Sequence, residues 1–195
     1  MSRIAKHIDL IIDQKLKGLM KSEGFNKNGR NFHLRLDAST LVLNVQASSF
    51  NDNYGGNFTV NLGVFFPEIH AVLGRYSISG VPKESDCSLR KRIGYLMPGG
   101  KDFWWETNVD EPVETIGEDL SFFVQKLGLP WLKSHSTIEL ARREFAFQAP
   151  FVDVAAAICL GEKSRARQML AEIVSGNNPS APIAKRIAAL NHIDL

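Results

Sequence analysis

The chain has little of what usually announces a catalytic or metal-binding protein. Of 195 residues, two are cysteine, Cys87 and Cys159, and neither has a second ligand nearby at metal-binding spacing. Two isolated thiols fit a reducing cytoplasm better than a disulfide framework. The histidines, His7, His33, His70, His135 and His192, are scattered, with no H-x-H or H-E-x-x-H, so no zinc site is expected. There is no glycine-rich phosphate loop and no G-x-S-x-G elbow, and no catalytic residue or cofactor follows from the motifs. The net charge of +2 is too small for the concentrated basic stripe of a nucleic-acid binder. No apolar run approaches the roughly 20 residues of a membrane span. The N-terminus, broken by Lys6, Asp9 and Asp13, has no h-region of a signal peptide. A cytoplasmic protein is the expectation.

What is present is ordinary globular patterning, with 44% apolar and 23% charged residues, close to the average for folded domains. Ile4, Ile8, Ile11, Ile12, Leu16, Leu19 and Met20 recur at helical spacing, with Ser2 as a candidate N-cap and Gly24 as a stop. The spacing predicts an amphipathic helix over residues 3–23. The period then drops to two. Phe32, Leu34 and Leu36 alternate with Asn31, His33 and Arg35. Leu41, Leu43, Val45 and Ala47 alternate with Val42, Asn44 and Gln46. Phe58, Val60, Leu62, Val64 and Phe66 alternate with polar or small residues. Three strands in succession make a meander. A helical turn at Pro67, a loop over residues 77–86, a strand through CSLRKRIGYL and a fifth strand at FWWET follow. In CSLRKRIGYL, Cys87, Leu89, Ile93 and Tyr95 fall on one side, and Lys91 interrupts them.

From Pro112 onward the pattern is helical, with a break expected at GLPWL and turns at Gly161 and over residues 175–182. The acidic cluster Asp110, Glu111, Glu114, Glu118 and Asp119 lies at a helix start, where the helix dipole favours negative charge. The expected class is α+β: an N-terminal helix on an antiparallel sheet of about five strands over residues 1–135. A helical C-terminal extension over 136–195 follows, either a semi-independent lobe or part of the same core.

Putting the apolar sets under the helices leaves a second sheet face. It carries His33, Arg35, Asn44, Gln46, Thr59, Asn61, Arg90 and Arg92. A merely solvated face tends toward Lys, Glu and Thr, whereas these positions are amides and arginines without an acid. Arginine offers a planar fork for carboxylate or phosphate, and amides both donate and accept. Arg35, Gln46, Asn61, Arg90 and Arg92 are therefore the candidate binding residues, for a protein, a peptide or an anionic group. The bland reading of the same residues is that the amides ladder across strands or tie down the loop at 48–56. An enzyme acting on a polar or phosphorylated small molecule, with Arg90 and Arg92 as anion clamps, is the alternative function.

Five segments in order, KLKGLMKSEGFNKNGRNFHL, LNVQASSFND, GGNFTVNLGVFF, CSLRKRIGYL followed by WW, and GLPWL, resemble domain-of-unknown-function family 4304. The resemblance covers about residues 10–135. It implies a bacterial, cytosolic protein and supplies no activity.

Overall fold

In the computed structural model, residues 1–75, 78–148, 150–176 and 178–195 are described. The loop reading at Ser77 and the turn reading at Asn177 lie outside them.

The N-terminal helix runs as α1 (Arg3–Ile11), a π turn (Ile12–Leu16) and α2 (Lys17–Ser22). The Ser2 Oγ accepts from the Ala5 N–H at 3.2 Å, satisfying one of the donors that a helix start leaves unpaired. The π turn adds a residue to one turn, and both neighbours Ile11 and Ile12 are buried, so the apolar stripe continues to Leu16 and Met20. The helix ends in a Schellman motif. Phe25 N–H reaches the Met20 carbonyl, Gly24 N–H reaches Lys21, and Gly24 takes the positive φ of 88° that the motif asks of a glycine.

The sheet has six strands: β1 (Asn26–Asn28), β2 (Asn31–Arg35), β3 (Thr40–Ala47), β4 (Gly55–Phe65), β5 (Leu89–Arg92) and β6 (Trp105–Asn108). The path is β1-β2-β3-β4-β5, with β6 also paired to β4. All pairings are antiparallel. The long β4 pairs β6 through Gly55–Phe58 and β5 through Asn61–Val64. The meander and the helix-on-sheet arrangement therefore stand, with one short strand, β1, that three polar residues gave no periodicity to find.

Phe32, Leu41, Leu43, Val45, Phe58, Val60, Leu62, Val64 and Leu89 line the face beneath the helices and are buried. Trp105 joins them, stacked on Phe58 at 5.7 Å between ring centroids, and its Nε1–H donates to Asp119 at 2.7 Å. That contact, with Lys15 beside Glu114 and Glu118, gives part of the acidic cluster specific partners. Lys91 does not break the alternation. It obeys it, lying opposite Leu62 on the helix side, where its ammonium donates to Glu144 at 3.0 Å. Cys87 departs from the expected side. The strand begins only at Leu89, after a 3₁₀ turn at Glu84–Asp86. Cys87 instead packs on the opposite face with Val42 and Phe65.

The break expected at GLPWL is absent. α4 (Val113–Phe123) passes through a second π turn (Val124–Gly128) into α5 (Leu129–Ser134). Pro130 lies just past that turn, and a widened turn relieves the clash of a proline ring with the carbonyl four residues back.

The remaining helices are α3 (Pro67–Val72), α6 (Ile138–Phe145), α7 (Pro150–Cys159), α8 (Lys163–Ser175) and α9 (Ala181–Leu190). Thr137 caps α6 by accepting from Leu140 N–H, and Gly161 turns the chain between α7 and α8 with φ 75°. Their apolar faces join the same buried cluster as the sheet. Phe145 meets Phe66 edge to face at 5.7 Å, Ser39 Oγ donates to the Ser136 carbonyl, and Asn191 donates to Val72.

Because Phe145 is fully buried in this shared cluster, Phe145→Ala is expected to cost about 3–5 kcal/mol, read as one cooperative denaturant transition shifted to lower midpoint. A separate low-stability transition, with the main one unmoved, would mean the C-terminal helices fold apart from the sheet.

Candidate functional site

Antiparallel register sorts the outer sheet face into cross-strand rows. One row is Asn31, Asn44, Asn61 and Arg92, spanning four strands. The next is His33, Val42, Gly63 and Arg90, and the third is Arg35, Thr40 and Phe65. Gln46 lies opposite Thr59. Arg35, Gln46, Asn61, Arg90 and Arg92 thus sit on the same side of the sheet, but they divide into three environments.

The first is a hydrogen-bonded chain. A guanidinium can only donate, so Arg92 Nε, 3.1 Å from Asn61, obliges that amide to present its oxygen. The Asn61 NH₂ must then face the other way. It donates to Gln46 Oε1 at 2.7 Å and to Asn44 Oδ1 at 3.2 Å. Asn44 in turn donates to Asn31 Oδ1 at 2.9 Å. One cation therefore orients four amides, Asn61 first and Gln46, Asn44 and Asn31 through it. Asn61 is only 7% exposed, and such a chain is how a buried amide in a strand avoids the cost of unpaired polar atoms. At its other end Arg92 Nη1 meets both Asp102 oxygens at 2.8 and 2.7 Å. Trp104 donates to the same carboxylate and lies under the guanidinium, 5.1 Å from ring centroid to Cζ. The Arg92 contact holds the Asp102 carboxyl below its usual range.

The second environment is Arg90, whose Nε and Nη2 close on Glu84 at 2.8 and 3.0 Å. That hydrogen bond raises the Arg90 pKa further. Its row is partly roofed by the segment before β5. Cys87 sits where a Cβ on Gly63 would be, 2.6 Å from its Sγ, and His33 Nε2–H donates to the Pro82 carbonyl at 3.0 Å. Burial keeps His33 below the usual imidazole range. A shallow hollow of about 320 Å³ lies over this end, lined by Asn61, Glu84, Arg90, Arg92 and Tyr95.

Arg35 forms the third environment, at the far end of the face, where it lines a separate cavity with Arg75 and His70. Sequence reasoning grouped it with the other arginines by parity. Parity does not report distance along the strands. It also gives no sign of Asp102 and Glu84, which lie in irregular or 3₁₀ segments without a period to follow. The adjacent tryptophans point to opposite sides, as neighbours in an extended chain must: Trp105 enters the core and Trp104 lies beside Arg92.

Among the described residues, no group of three or more His, Cys, Asp or Glu side chains could hold a metal ion, and no helix is long and apolar enough to cross a membrane. Burial pushes the Cys87 thiol far up and the Cys159 thiol to about 11, so neither has the low pKa of a nucleophilic cysteine.

The arrangement defines an α+β domain with an amide-and-arginine sheet face. The family described as a domain of unknown function, DUF4304, matches residues 16–134, and the chain belongs to it. No curated protein and no solved structure matches.

Two measurements follow. Asn61→Ala strands the donors and acceptors around it and is expected to cost about 1–3 kcal/mol in a denaturant melt; Gln46→Ala, at the exposed edge, should cost less than about 1. In native protein at pH 8, both thiols are expected to label far more slowly than in denaturant; rapid native labelling of Cys87 would contradict its burial.

Proposed function

We propose that the chain is a non-enzymatic binding module that recognises a protein or peptide segment on the outer face around Asn61. The observation that carries this reading is the form of the surface: a hydrogen-bonded amide ladder bordered by exposed Tyr95 and Gln46 and by Trp104. Tyr, Trp and Arg are the residue types that anchor protein interfaces. The two arginines nearest Asn61 are already paired, Arg90 with Glu84 and Arg92 with Asp102. A polar, near-neutral peptide surface suits it better than a free anion. The enzyme reading requires open guanidinium forks at Arg90 and Arg92. Both forks are engaged, and the hollow beside them is shallow. A bacterial, cytoplasmic setting belongs to the same proposal, resting on the family resemblance and the unpaired cysteines.

The test removes the exposed branch of the ladder at Gln46 and keeps the run from Arg92 through Asn61 and Asn44 to Asn31. Tyr95→Ala combined with Gln46→Ala changes exposed side chains and should cost less than about 1 kcal/mol, a small shift in melting temperature. Purified wild type and the double variant are used as bait in a lysate of the source organism. A protein retained by wild type and reduced roughly tenfold or more by the variant is the expected result. Identical retention by both baits would remove this face from recognition.

A further inference from the structure

We propose that the cavity at the Arg35 end of the outer face binds a small organic anion, a carboxylate or phosphate monoester carrying an apolar body. This site is separate from the Asn61 face and does not depend on it.

The cavity lies between the β2–β3 turn, the start of α3 and residues 78–82, and encloses about 360 Å³, within the range of small-molecule pockets. Its walls are of two kinds. Phe65, Pro67, Ala71 and Ile78 form an apolar side. Arg35 and Arg75 line the polar side, with the hydroxyl-bearing Thr40 and one carboxylate, Asp37. Two guanidiniums against one carboxylate leave the cavity positive.

The state of these arginines sets them apart from those on the ladder. Arg30 pairs with Asp9, Arg90 with Glu84, Arg92 with Asp102 and Arg165 with Asp153. Among the described residues, the side chains of Arg35 and Arg75 make no ion pair or hydrogen bond, and they share one concave surface. Guanidinium groups gathered on one concave surface are a usual means of holding carboxylate or phosphate.

His70 lines the same cavity and is only 8% exposed. Its Nε2 lies 2.8 Å from the Asp86 carbonyl, which can only accept, so Nε2 carries the proton. Burial holds the ring below its usual range and therefore neutral. Nδ1 is then a lone-pair acceptor, and among the described residues it is buried with no partner. A neutral ring in the wall sets no charge against an anion in the cavity. A neighbouring hollow of about 500 Å³ shares Arg35, Thr40 and Ile78, giving the apolar body room to extend along β2.

Phenyl phosphate and phenylacetate are the probes, with 2-phenylethanol as the neutral control, titrated by calorimetry and by amide chemical shifts of the full chain. At least one anion should bind saturably with Kd below about 1 mM and shift the amides of Arg35, Thr40 and Ile78. The neutral control should bind about tenfold more weakly. Arg35→Gln and Arg75→Gln should each weaken binding about tenfold at unchanged melting temperature. Ala71→Trp fills the cavity from an exposed helical position without touching charge, and should abolish binding. Retention of lysate proteins on the Asn61 face should be the same in all three variants. No saturable binding by either anion, equal binding of the neutral control, shifts confined to other residues, or binding unchanged in Ala71→Trp would each overturn the proposal.

Discussion

The outer face depends on the fact that arginine has no acceptor. Arg92 fixes which way Asn61 points, and Asn61 fixes Asn44 and Gln46. Amides alone can ladder in either direction, and a face built only from them would have no preferred polarity. Adding a donor-only cation at one end, itself held by Asp102, selects one direction for the whole row. The price is that Arg92 becomes a structural group, with little of its fork left for a ligand.

The opposite face is organised by area rather than by direction. Every α-helix stripe and every apolar strand parity converges on one buried cluster that includes α6 to α9. The family match ends at residue 134, yet the core does not end there. Phe145 on Phe66 and Lys91 on Glu144 join the two parts with one apolar and one charged contact. Lys91 looked like an error in the strand pattern only because its acid lies 53 residues further on.

The arginines divide by partner and not by position in the pattern. Arg90 and Arg92 find carboxylates from a 3₁₀ turn and an irregular segment. Arg35 and Arg75 share a cavity and, among the described residues, pair with no carboxylate. These four residues show why residue type alone overstates a binding surface: a guanidinium is a candidate ligand group only where the fold has not already paired it.

Much of the fold was legible in the chain because it is written in period. Periods of 3.6 and 2 gave the long first helix, the meander and the helical C-terminus, and parity put Arg35, Gln46, Asn61, Arg90 and Arg92 on one face. The errors fall where no period exists. β1 is three polar residues, Cys87 precedes the strand it was counted in, and Pro130 is absorbed by a π turn. What the sequence by itself determined is the side of each element on which a residue lies, since that follows from backbone geometry over a few neighbours. Only the tertiary structure decided which charges are paired, because the carboxylates that meet Arg90, Arg92 and Lys91 come from other segments. Pairing is a matter of distance in space, and local spacing carries no information about it.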